Sequence, residues 1–189
     1  MWYSIALYVH VLGAIGLFCA ISLIVAALLQ MRRASSPEQV REWIAVAQFA
    51  GKSIVFIALV ILVPALYMVA ISWAFTTPWV MAALIAFILL AVQGATVNGR
   101  MLERLAAEAA KPDFAGLRAQ LMASPLWLAE GARVMLLVGI VYLMTMKPDL
   151  ISSVVALVSA LLLGLLLGAL LGPFAERMRQ RSQVAARHL

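Results

Sequence analysis

Residues 53–99, SIVFIALVILVPALYMVAISWAFTTPWVMAALIAFILLAVQGATVNG, run for 47 positions without an Asp, Glu, Lys or Arg. At ~1.5 Å per residue one straight helix of that length would measure about 70 Å, more than twice the ~30 Å hydrocarbon core of a bilayer. The run is therefore read as two spans and a fold-back. Residues 72–78 supply the fold-back: Thr76-Thr77-Pro78 makes a turn and a helix start. Trp73 and Trp79 flank it, at the depth where amphipathic rings settle. Spans two and three are predicted at about 51–73 and 79–104.

The same count works outward in both directions. Residues 1–31 carry none of these charges and give span one, about 2–30. Residues 150–173 give span five, started by Lys147-Pro148-Asp149 and ended by Gly172-Pro173. Span four, about 125–146, is weaker. Ser124-Pro125 offers an N-cap with proline at the first position, but Glu130 and Arg133 interrupt the apolar pattern. The predicted fold is thus all-α, a single transmembrane domain of five helices covering 1–189, with a basic tail at 174–189.

Composition agrees. The chain is 66% hydrophobic and 12% charged, with a mean hydropathy of +1.06. An ordinary soluble domain is about 45–50% apolar and about 25% charged, so a soluble enzyme, a disordered tail and a disulfide scaffold are excluded. The single cysteine, Cys19, sits inside span one and leaves no intrachain disulfide.

The net charge of +6 is an orientation signal rather than a nucleic-acid footprint, so no nucleic-acid partner is expected. The connection at 32–52 carries Arg32, Arg33, Arg41 and Lys52, and the one at 99–124 carries Arg100, Arg104, Lys111 and Arg118. The tail adds Arg177, Arg179, Arg181 and Arg187. The 72–78 turn has no basic residue and the 147–149 turn has one, Lys147. This alternation predicts an N-terminus outside and a C-terminus in the cytoplasm, in a bacterial inner membrane. The basic connections should be partly helical. Ser36-Pro37-Glu38 starts a helix through Arg41 and Trp43 that lies at the interface or extends span two. Residues 102–110 extend span three, and Asp113 caps a short helix through Met122.

Few residues in the spans carry chemistry. His10 is the one intramembrane histidine, about two turns below the outer surface, and an ionisable residue there is a candidate site. Ala6, Gly13 and Ala14 share its face, leaving room for a flat ligand or a close helix. A neutral imidazole could ligate haem iron or copper, and Met68, Met81, Met144 and Met146 fall near the outer ends of their spans as soft copper ligands. The simpler reading is a hydrogen bond from His10 to a neighbouring helix, for example to Tyr67 or Tyr142. Glu130 and Arg133, three apart, can meet as an ion pair or serve a proton or anion site. By α-helical spacing Gln93, Thr96 and Arg100 share a face of span three and, with Lys52 and Gln48, form a polar cluster against Glu130. Gly164, Gly168 and Gly172 form GxxxGxxxG on span five, a helix-packing signal for use within the bundle or for self-association. No metalloprotease, nucleophile-elbow, phosphate-loop or zinc spacing occurs, so no enzyme activity is expected.

Tyr8-Val9-His10-Val11-Leu12-Gly13-Ala14 resembles the first helix of an uncharacterised bacterial family of predicted integral membrane proteins, a domain of unknown function. The likeness continues through Pro78-Trp79, residues 94–100 and Met144-Thr145-Met146-Lys147-Pro148. The first helix is also similar to that of copper-resistance protein D and of the bacterial membrane haem-binding protoporphyrinogen oxidase. Those proteins place a histidine where His10 stands and commonly follow it with Trp-x-Gly, where this chain has Leu17, Phe18 and Cys19. The resemblance implies a membrane bundle and points at His10 for haem or copper.

Three functions follow as expectations. The first is a non-enzymatic integral or accessory subunit of a larger membrane complex, with the lipid bilayer and other membrane subunits as partners. The second is a haem- or copper-binding protein using His10. The third is a small transporter using Glu130, Arg133 and Gln93.

Overall fold

A computed structural model describes residues 1–111 and 114–172 of the chain. The expected cap at Asp113, the proline stop at Pro173 and the basic tail lie outside them. Five helices are long and apolar enough to cross a membrane, so the chain is a polytopic membrane protein, and no strand occurs among the described residues. Helix α1 is Trp2–Arg33 and α2 is Pro37–Ser72. The third span comprises α3, Pro78–Gln93, a π-helical turn over Gly94–Asn98, and α4, Gly99–Ala109. A short α5, Phe114–Leu121, leads into α6, Ser124–Met146, and α7 is Leu150–Leu171.

The starts of these helices follow local chemistry. Ser36 caps α2 by accepting a hydrogen bond from the Gln39 N–H at 3.4 Å, with Pro37 in the first position. Residues 36–43 therefore extend span two as one continuous helix rather than lying apart from it. For α6 the cap position falls on Ala123, one residue before the expected Ser124. Asp149 caps α7 by accepting from the Ser152 N–H at 2.8 Å. Those bonds hold the Asp149 carboxyl below its ordinary value. A depressed folded value means that stabilisation is complete above the unfolded value of about 3.9 and lost as pH falls through the folded one. Asp149→Ala should therefore lower the melting temperature at neutral pH, and the difference from wild type should vanish in strong acid. Asp149→Asn, also a good cap, should melt close to wild type.

Packing divides the bundle into closely matched pairs. Along α1 a stripe of His10, Gly13, Leu17, Ile21, Ile24 and Leu28 is buried, chiefly against α2. A Cβ on Gly13 would lie 2.7 Å from the Ile61 side chain, so the bare backbone is what lets α2 approach there. The other pair is α6 with α7, and α3 joins the two through Ala86, Leu90, Leu136, Leu137 and Ile140. A third cluster, around Met31, Val40, Leu105, Leu117, Leu121 and Trp127, packs the connections at the basic end. Away from these seams the spans present Leu, Ile, Val and Phe outward, as a bilayer allows.

At the opposite end, Trp73 and Trp79 meet edge to face, with centroids 5.2 Å apart. The Lys147 ammonium lies 4.7 Å from the centre of the Trp73 ring. Lys147 also ends α6 in the left-handed conformation, at φ 50°. The one basic residue of this end is thus taken up by the ring pair that flanks the fold-back.

Candidate functional site: a buried polar centre between spans three and four

The π-helical turn decides which residues face span four. An extra residue in one turn advances the chain past α-helical register, and such turns are frequent at functional sites. Counting by α-helical steps places Gln93, Thr96 and Arg100 together. The structure instead pairs Gln93 with Asn98, five residues on. The Gln93 amide donates to the Ala129 carbonyl at 2.6 Å, and the Asn98 amide donates to Glu130 Oε1 at 2.6 Å. Thr96 bonds back to its own helix at the Val92 carbonyl and is exposed, as is Arg100. Lys52 is exposed, and neither it nor Gln48 reaches Glu130 by a hydrogen bond or ion pair among the described residues. The expected five-residue cluster is thereby corrected to Gln93, Asn98, Glu130 and Arg133. Asn98 was missed because only the π turn brings it inward.

Glu130 and Arg133 are both deeply buried, at 4% and 3% exposure. Arg133 Nη1 stands 3.4 Å from Glu130 Oε1, so the guanidinium turns back to the carboxylate rather than reaching for headgroups. One oxygen, Oε1, thus takes both donors. Glu130 Oε2 and Asn98 Oδ1 are buried with no hydrogen-bond partner among the described residues. Leaving such groups unmet costs about 1–3 kcal/mol each, which makes them a place where a proton, a water or a ligand donor would be gained.

His10 makes the expected hydrogen bond to a neighbouring helix, but to a backbone carbonyl rather than to a tyrosine. Its Nδ1 lies 2.9 Å from the Ile61 carbonyl, while Tyr67 and Tyr142 are exposed. The accepting carbonyl lies on the facing helix α2, three residues before the buried Pro64. Donation from Nδ1 fixes the tautomer, and Nε2 makes no hydrogen bond among the described residues. His10→Ala should cost about 1–2 kcal/mol. Denaturant titration in one detergent checks it, and His10→Asn, which keeps a donor, should cost less than His10→Ala.

The residues expected to complete a copper site do not gather at His10. Ile61 fills the space beside Gly13 that a flat ligand would need. Met68 is seven residues along α2 from Ile61, a rise of about 10 Å, and Met81 lies a single turn into α3 at 44% exposure. Bonds of about 2.0–2.3 Å could not join these three groups. Among the described residues no three His, Cys, Asp or Glu side chains are grouped for a metal.

The span-five glycines lie inside the bundle. A Cβ on Gly164 would stand 2.5 Å from the Gly131 carbonyl oxygen, and one on Gly168 would run into the Trp127 carbonyl. A Cβ on Gly172 would stand 3.3 Å from the Trp127 side chain. The stripe is a seam with α6, whose own Gly131 and Gly139 complete it.

Comparison with known protein families, with curated proteins and with solved structures finds no match for this chain.

Proposed function

We propose that the protein is a small proton-linked transporter of the bacterial inner membrane, without enzymatic activity, and that Glu130 is the group that exchanges the proton. The observation that carries this reading is the pair of unmet acceptors, Glu130 Oε2 and Asn98 Oδ1, buried inside the bundle beside a π-helical turn. Hydrogen-bond accounting gives the reason. With Glu130 ionised the centre has two acceptors left over. A proton on Oε2 converts one of them into a donor. Arg133 balances the carboxylate when the proton leaves, so both states can exist in a low-dielectric site. Gln93 and Asn98 bracket the π turn and bond across to span four, which ties that exchange to the position of span three. On the orientation expected from charge, the N-terminus is outside and the centre lies towards the cytoplasmic face.

The test is proton flux in liposomes holding the purified full-length chain and an internal pH indicator, under an imposed gradient. Wild type should acidify the lumen, Glu130→Gln should not, and His10→Ala should behave as wild type. Equal flux from wild type and Glu130→Gln overturns the reading. A wild-type protein without flux that retains stoichiometric membrane partners in mild detergent would also overturn it, in favour of a complex subunit.

A further inference from the structure

At the basic end, a cavity of about 540 Å³ is lined by Leu29, Arg32, Arg33, Ser35, Arg118 and Met122. That volume falls within the range of small-molecule sites, about 300–1,000 Å³. The arginines come from two separate parts of the chain. Arg32 and Arg33 occupy the last turn of α1, and Arg118 is on α5.

Topology explains why basic residues stand at this end, but not why guanidinium groups from two connections line one cavity. Arg32 is already held, by the Leu171 carbonyl and by the Trp127 ring 4.8 Å away, and acts as a fixed wall. Arg33 and Arg118 are exposed and form no hydrogen bond or ion pair among the described residues. No carboxylate lines the cavity among those residues. Arg33 and Arg118, like charges at one recess, repel, and an anion that accepts from both guanidinium forks removes the repulsion. Leu29 and Met122 add an apolar wall beside the charges.

We infer that this cavity binds a phosphate group, with Arg33 and Arg118 supplying the free donors and Arg32 fixing the shape. The apolar wall favours a phosphate that carries a hydrocarbon stem, as in an anionic phospholipid, over free phosphate. Basic pockets between membrane helices take such headgroups. This inference is independent of the role of Glu130.

The test is thermal unfolding of the full chain in mild detergent, with added phosphatidylglycerol, phosphatidylcholine or inorganic phosphate at constant ionic strength. Phosphatidylglycerol should raise the melting temperature and phosphatidylcholine should not. The Arg33→Gln/Arg118→Gln double variant should need about thirtyfold more phosphatidylglycerol for the same shift. Arg118→Glu should abolish the response, and Arg100→Gln, outside the cavity, should keep it. A response to inorganic phosphate alone, lost in the double variant, would keep the site and assign it to a soluble phosphate. Equal responses to the two lipids, or an Arg100→Gln loss as large as that of the double variant, would overturn the inference.

Discussion

Gly168→Val is expected to open the seam between α6 and α7 and lower stability by about 3 kcal/mol or more, the upper range for overpacking. The atoms in the way are backbone: the Trp127 carbonyl and the Leu128 Cα, the latter 2.7 Å from where the new Cβ would stand. A flexible side chain could swing aside, but these atoms can yield only if a helix moves. Between helices in lipid the contact is held by dispersion and close approach, so separating the backbones removes the attraction itself. Gly51 is the control, because a Cβ there meets nothing within 4 Å. Gly51→Ala should instead stabilise α2, by up to about 1 kcal/mol from helix propensity. Denaturant titration of the three proteins in one detergent separates the two effects. Equal behaviour at Gly51 and Gly168 would remove the seam from the account.

Arg133→Ala carries the other large effect. Removing one member of a buried ion pair leaves an uncompensated charge and costs about 3–5 kcal/mol. Glu130 would then lose its balancing charge at 4% exposure, with one oxygen already unmet. Combining Arg133→Met with Glu130→Gln removes both charges and should recover most of that loss. The recovery tells a charge effect from a packing effect. If the double variant is as unstable as Arg133→Ala, the pair contributes through shape alone.

The span count was legible because charge is so unfavourable in hydrocarbon that its absence marks each span. The run at 53–99 could not be one helix, and the structure folds it back at residues 73–77. Glu130 and Arg133 were legible for the same reason, as the charges left inside a span. What the sequence hid was register. Asn98 lies off the α-helical face of Gln93, and nothing in Gly94-Ala95-Thr96-Val97-Asn98 announces a wider turn. The partner of His10 was hidden differently. A backbone carbonyl, here that of Ile61, is invisible in a residue pattern. The glycine stripe was legible as a contact face, but the matching Gly131 and Gly139 show that the contact is internal.

The central claim, that Glu130 takes and releases a proton inside the bundle, is tested most directly by infrared difference spectroscopy of the reconstituted protein during a pH change. The account predicts a carboxylic C=O band that appears as pH falls, is absent in Glu130→Gln and shifts in Asn98→Ala. A band that persists unchanged in Glu130→Gln, or no such band in wild type across the range where transport is measured, would contradict it.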